Sequence, residues 1–276
     1  MKKAARFLAG AGVAVALSSP AHAGSEILPG ISTGIALGAP LPEGIYSITI
    51  PTYGERNSTP QQDVFGLDTA WLIWSTPYTF LGGRIMLDTV TPYVNVNLKN
   101  GPTFSGAGNT IIDVQVKWDL GGGFFGGVQG GVYLPVASEV GRNGTSFQGV
   151  VAFSYLKDGW NLSSTFISGT GVAGTDGGPA WFNVDLTATK TFNKFEIGAI
   201  AFGSTDLSSP YPGYAKQSQF ALGGLVGYDF GPMKIQLKLS RDVYQENYGG
   251  YDTRGWANII VPLWMPTPPT ATRAAQ

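Results

Sequence analysis

The sequence predicts an all-β fold, a membrane-spanning antiparallel up-and-down β-barrel of about twelve strands. Three observations carry this. Charged residues make up 13% of the chain, about half the usual share, while glycine (40 residues) and aromatics (12%) are abundant and no later stretch approaches ~18 consecutive apolar residues. Alternation of period two recurs from one end of the chain to the other. The connections between the alternating segments are long and short by turns.

Taken in order, the chain opens with Lys2, Lys3 and Arg6, an apolar stretch from Phe7 to Leu17, and Ala21-His22-Ala23 as an A-x-A site before Gly24. This is the layout of a cleaved secretory signal peptide, residues 1–23, and its apolar part is too short to span a ~30 Å hydrocarbon core. Cleavage would remove three of the 17 Lys and Arg, leaving 14 against 18 Asp and Glu, a formal charge of −4. It would also remove the only histidine, His22, and the chain has no cysteine. Ser-His-Asp and Cys-His catalysis and histidine or cysteine metal sites then have no residues to use. The expectation is a non-enzyme without metal or other cofactor. No basic patch points to nucleic acid.

Residues 24–42, rich in Gly, Ala and Ile, read as an N-terminal extension and a candidate inward-folding plug. The barrel follows over 43–264, with strands at about 43–53, 63–75, 82–98, 109–120, 124–135, 147–157, 159–168, 181–191, 194–204, 219–230, 232–243 and 253–264. Many approach the ~9–11 residues with which a tilted strand crosses a bilayer. In the clearest, Asp113, Gln115, Lys117 and Asp119 share one face and Ile112, Val114, Val116, Trp118 and Leu120 the other. Phe182–Thr189 and Met233–Asp242 repeat the pattern.

Five connections are short: near Thr76-Pro77-Tyr78, Gly121–Gly123, Lys157–Gly159, Asn193 and Gly231-Pro232. Six are long and polar: Gly54–Gln62, Lys99–Gly108, Val136–Ser146, Gly169–Ala180, Thr205–Ser218 and Tyr244–Asp252. Their strict alternation places both barrel termini in the periplasm, with long loops outside and tight turns inside. Residues 265–276 form a tail.

With the charge-bearing face inward, Arg84, Asp88, Asp113, Gln115, Lys117, Asp119, Asn183, Asp185, Glu196, Lys234, Gln236 and Lys238 line the lumen, and Asp68 follows the same parity. Lys190 and Arg241 break parity near strand ends, where long side chains snorkel. Parity alone equally fits a water-soluble barrel with its oily face inward. The polar face separates the two, because Ser, Thr, Asn, Gln and Gly with scattered charges are unlike a soluble exterior. Tyr53, Trp71, Trp74, Tyr78, Tyr93, Trp160, Trp181, Tyr228, Trp256 and Trp264 are candidates for aromatic girdles, some of them ordinary packing residues.

Two motifs mislead. Gly121–Gly126 matches G-x-G-x-x-G, but a strand follows it instead of a helix, so it reads as a glycine-rich turn. Asp113 and Asp119 share a face about 20 Å apart, too far for an acid–base pair. For Lys234 and Lys238 two readings stand: a basic ladder attracting solutes, or internal pairing with carboxylates such as Asp185.

Several phrases resemble the outer-membrane transporter family linked to the meta-pathway of phenol degradation. They are Leu41-Pro42-Glu43-Gly44-Ile45-Tyr46, Thr76-Pro77-Tyr78 running into Phe80-Leu81-Gly82-Gly83, Pro92–Val96, and the closing strand Trp256–Trp264. The family phrase usually has Pro-Pro-Gly where this chain has Pro42-Glu43-Gly44, and the tail Met265–Gln276 runs past the terminal aromatic strand that serves as an assembly signal. The resemblance implies a channel in the Gram-negative outer membrane admitting aromatic or other small hydrophobic compounds. It supplies no catalytic residues.

Twelve strands enclose more space than eight-stranded barrels that side chains fill, and less than open 16–18-stranded porins, so a narrow or gated pore is expected. The expected partners are outer-membrane lipid, a small-molecule solute and the barrel-assembly machinery. The alternative function is a non-transporting scaffold or adhesion barrel acting through loops such as Gly169–Ala180 and Tyr244–Asp252.

Overall fold

The computed structural model describes residues 24–171 and 178–266, apart from the side chains of 68–70. The signal-peptide reading, the Asp68 side chain and most of the C-terminal tail lie outside the described residues.

The strands are β1 (Gly44–Arg56), β2 (Gln62–Phe80), β3 (Gly83–Leu98), β4 (Thr103–Ala107), β5 (Thr110–Gly121), β6 (Phe124–Leu134) and β7 (Ser146–Lys157). They continue as β8 (Trp160–Gly169), β9 (Trp181–Phe192), β10 (Phe195–Asp206), β11 (Ser218–Asp229), β12 (Lys234–Glu246) and β13 (Asp252–Trp264). Every pairing is antiparallel, and β1 pairs with both β2 and β13, which closes the sheet. Twelve strands make the wall. The extra one, β4, extends the outer part of β3, while β5 pairs with β3 below it.

Two expectations are corrected. The stretch 99–108 is not all loop: Thr103–Ala107 folds back on Tyr93–Asn97 as β4. Nor is Thr76-Pro77-Tyr78 a turn. It is an irregularity inside β2, where the register shifts between Ser75 and Thr79, a place where a proline without an N–H costs no ladder bond. The chain reverses at Leu81 and Gly82, with φ of 48° and 78°, the left-handed pair a tight hairpin requires.

The surface is inside out for a soluble protein. Along β12, Leu237 and Leu239 are 55% and 63% exposed, whereas Gln236 and Lys238 between and beside them are buried. Water would favour the reverse, and a hydrocarbon solvent favours this one. Trp74, Tyr78, Trp160, Tyr228 and Trp264 are exposed at the tight-turn end, and Tyr53 and Tyr93 toward the loop end. Trp71, Trp181 and Trp256 are corrected from girdle to interior, since all three are buried on the lumen side. The parity-breaking cations serve the outer wall: Lys190 lies over the Trp160 ring and bonds Asp158 O, and Arg241 bonds Thr253 Oγ1.

The core is the lumen. Buried Ile48, Ile50, Ile73, Met86 and Ile111 pack there with Ile31 and Leu37 of the segment preceding β1. An all-polar inner face is therefore not what the barrel has. The β1–β3 side of the lumen is largely apolar, and the β9–β13 side is polar.

Candidate functional site

The residues before β1 run through the barrel from the loop end to the turn end. Repeated tight turns compact them: Ile31 N donates to Leu28 O, Thr33 N to Gly30 O, Ile35 N to Ser32 O and Ala39 N to Ala36 O, all at 3.0–3.1 Å. These turns leave many backbone groups unpaired, and the polar wall satisfies them.

Near the loop end, Asn183 Nδ2 donates to Ser25 Oγ at 2.9 Å, and Glu26 accepts from Ser146 Oγ and Asn109 Nδ2. At mid-depth the Asp185 carboxylate accepts Gly30 N, Ser32 N and Ser32 Oγ at 2.8–2.9 Å. Lys238 Nζ donates to Thr33 O and Oγ1 at 3.0 Å, and Asn258 Nδ2 to Thr33 O. Gly34 N donates to Thr187 Oγ1, while Gly34 O accepts from Gln236 Nε2 at 2.9 Å and Asn161 Nδ2 at 3.3 Å. Toward the turn end, Gly38 N donates to Ser154 Oγ and Ser75 Oγ to Leu41 O.

Glycines make the approach possible. Gly30 and Gly34 have φ of +90° and +85°, and a Cβ on Gly30 would stand 2.6 Å from the Phe202 ring. Gly38 lies flat against the β7 backbone, where a Cβ would be 2.8 Å from Ser154 N. The four-residue spacing of Gly30, Gly34 and Gly38 was the available sequence signal for this docking.

The twelve residues expected in the lumen fall into groups. Asp185, Gln236, Lys238 and Asn183 hold the segment. Glu196 is buried and bonded to Thr189 and Gln236, with Lys234 Nζ 2.8 Å away. Lys234 and Lys238 thus have separate partners and form no shared ladder. Asp88 and Asp113 face each other across β3 and β5. Asp88 accepts from Trp71 Nε1 and Gln115 Nε2, Asp113 accepts from Gln129 Nε2, and Lys117 is the nearby cation. Arg84 is half-buried and bonds Thr76 O. Asp119 is the correction: it is exposed at the rim, where Oδ1 caps the turn at Gly121 N. Thr187, Asn161, Asn258 and Ser154 also hold the segment. Parity marked them no more strongly than their neighbours, because uncharged polar residues line much of that face.

Two spaces flank the segment. Above it, a cavity of about 150 Å³ lies between Ile27, Leu28 and Ile31 on one side and Trp71, Tyr133 and Val150 on the other. Glu26, Asn109 and Arg142 form its upper rim. Below, a vestibule of about 490 Å³ is roofed by Gly34–Leu37 and bounded by Lys117, Glu196 and Lys234. Leu37 borders both. Among the described residues no cluster of three or more His, Cys, Asp or Glu could hold a metal ion.

The family model described as "Putative MetA-pathway of phenol degradation" matches residues 56–259 of the 276-residue chain. The chain belongs to this family. No curated protein matches it. Among solved structures, an outer-membrane channel from Pseudomonas putida F1 superposes with a TM-score of 0.68 at 12% identity, over 81% of this chain and 97% of that one. The translocator domain of autotransporter NalP from Neisseria meningitidis gives 0.49 at 12% identity, over 79% and 87%. The monoaromatic hydrocarbon channel CymD gives 0.49 at 9% identity, over 80% and 88%. In this phenol-degradation family member the matched stretch begins at the last residue of β1, so the lumenal segment precedes it. The closed barrel with its exposed apolar outer wall is that of a membrane-spanning β-barrel, and its fold is that of the Pseudomonas putida channel.

Proposed function

We propose that this protein is a channel for small, uncharged, largely apolar molecules about the size of one aromatic ring, with residues 24–42 as its plug. The observation that carries this is the cavity above the lumenal segment. Its volume, about 150 Å³, is that of a cavity that takes up benzene, and most of its surface is apolar, with Asp113, Gln148 and Arg254 among its polar lining. A charged solute there would lose its hydration against Ile, Leu and Val side chains. The family description, which concerns phenol degradation, supports the same reading, as does the similar Pseudomonas putida barrel, which is an outer-membrane channel.

In this mechanism the solute enters past Glu26 and Arg142, rests against Trp71 and Ile31, and passes when the Gly34–Leu37 roof yields into the vestibule. The terminal strand β13, ending at exposed Trp264, is the proposed contact for the barrel-assembly machinery. The test is uptake of phenol, benzoate and glucose into liposomes carrying the purified barrel. Phenol is expected to enter fastest. If phenol entry equals that of protein-free liposomes and planar bilayers show no conductance, the channel reading fails and a scaffold acting through its loops takes its place.

A further inference from the structure

The first described residue, Gly24, sits at the loop end of the lumen beside Asp206, the last residue of β10. A Cβ on Gly24 would lie 2.7 Å from Asp206 Oδ1. A residue's nitrogen is about 2.5 Å from its Cβ position, so the Gly24 nitrogen is within roughly 5 Å of that oxygen. Asp206 Oδ2 is already engaged, accepting from Tyr214 Oη at 2.6 Å and Gln217 N at 2.9 Å. Oδ1 is buried and has no hydrogen-bond partner among the described residues. A buried carboxylate oxygen without a donor calls for one.

The A-x-A site ends at Ala23. Hydrolysis of the Ala23–Gly24 peptide bond adds water across it, leaving a carboxyl on Ala23 and an amine on Gly24 that is largely protonated at neutral pH. We propose that this α-ammonium group pairs with Asp206, so that processing itself fastens the upper end of the lumenal segment. In the uncleaved chain the same nitrogen is a neutral amide. The inference rests on the signal-peptide reading and is independent of what the channel carries.

The site is bounded on every side. Glu26 of the segment is occupied by Ser146 and Asn109. Arg142, from the loop between β6 and β7, acts on both Glu26 and Asp206. Lys216 and Tyr214 come from the loop between β10 and β11, and Lys216 Nζ donates to Leu207 O. Ser25 is fixed by Asn183, which limits how far the amine can swing.

The test uses the full barrel purified from outer membranes. Intact mass must show a chain beginning at Gly24, and any other start overturns the proposal. The pH dependence of Gly24 acylation by an activated ester is then followed by peptide mass spectrometry. In the wild type the midpoint is expected about one unit above the ordinary α-amino range of ~7.7–8.0, and in Asp206→Asn to return to that range. At pH 8 the variant should acylate about fivefold faster. Equal midpoints in the two proteins overturn the pairing, because burial alone would affect both alike. If Asp206→Asn fails to fold, judged by heat-modifiable gel mobility, the wild-type midpoint decides: within or below the ordinary range it overturns the proposal, above it supports it.

Discussion

At Asp185 one carboxylate accepts two backbone N–H groups and a hydroxyl from the lumenal segment, with Lys238 acting on it electrostatically. Hydrogen bonds to a charged acceptor are worth roughly 1.5–3 kcal/mol each, so Asp185→Ala removes enough to shift the docked population at least tenfold. Single-channel conductance in planar bilayers is expected to rise accordingly, with the gel mobility of the folded barrel unchanged. Wild-type conductance in this variant would remove Asp185 from the latch. Gly30 is the matching residue on the other side. Gly30→Ala meets both a left-handed φ and the Phe202 ring, and should likewise raise conductance. Adding Phe202→Ala relieves only the clash, so the double variant should fall between Gly30→Ala and wild type.

At the scale of elements, the lumenal segment is tied to the wall by side chains from six strands, from β2 at Ser75 to β13 at Asn258, besides its covalent entry into β1. None of these bonds closes the barrel, whose ladder is complete without the segment. Deleting residues 24–40 is therefore expected to leave a folded barrel of larger conductance and faster glucose entry into liposomes. Its upper end should also respond to pH. Burial pushes the Glu26 carboxyl up from its ordinary 4.5, against the lowering pull of the Ser146 hydroxyl, Arg142 and Asn109. A carboxyl raised in the folded state favours docking below its unfolded pKa and loses that contribution as pH rises through the folded value. Hydrogen exchange at residues 25–28, corrected for the intrinsic rate, should thus show more protection at pH 4.5 than at pH 7. Glu26→Gln should abolish the difference.

For the whole molecule, the lumen is divided into two walls of different chemistry by a segment that matches each. Polar side chains of β7–β9, β12 and β13 take the backbone of Gly30–Gly38, and its isoleucines and leucines pack on the buried apolar residues of β1–β3 and β5–β8, enclosing the cavity. Filling that cavity from the wall, by Val150→Phe, should slow phenol entry several-fold without raising conductance, since Val150 is buried there and touches no bond of the latch. Unchanged phenol flux in this variant, with flux blocked in one where a disulfide joins the segment to the wall, would place the solute path elsewhere in the lumen.

Read on its own, the chain established the number of wall strands, the order of loops and turns, and the inward parity of charge. Those follow from period-two alternation and local turn chemistry, which need no distant partner. It missed where Pro77 would be tolerated and that Thr103–Ala107 would pair, because a register shift and an added strand are decided by the neighbouring strand. It could not show that Ile48, Ile50, Trp71 and Trp256 face inward, since an apolar residue faces a lumen only if something apolar fills it. Of the site, charge parity marked Asp185, Gln236 and Lys238, but their ligands are backbone atoms of Gly30–Gly34, 153 to 208 residues earlier in the chain. Residues 24–42 carry no periodicity that fixes a conformation. Their path exists only once the barrel has closed around them, so the sequence could offer this segment as a candidate plug while its course and its contacts became visible only in the folded molecule.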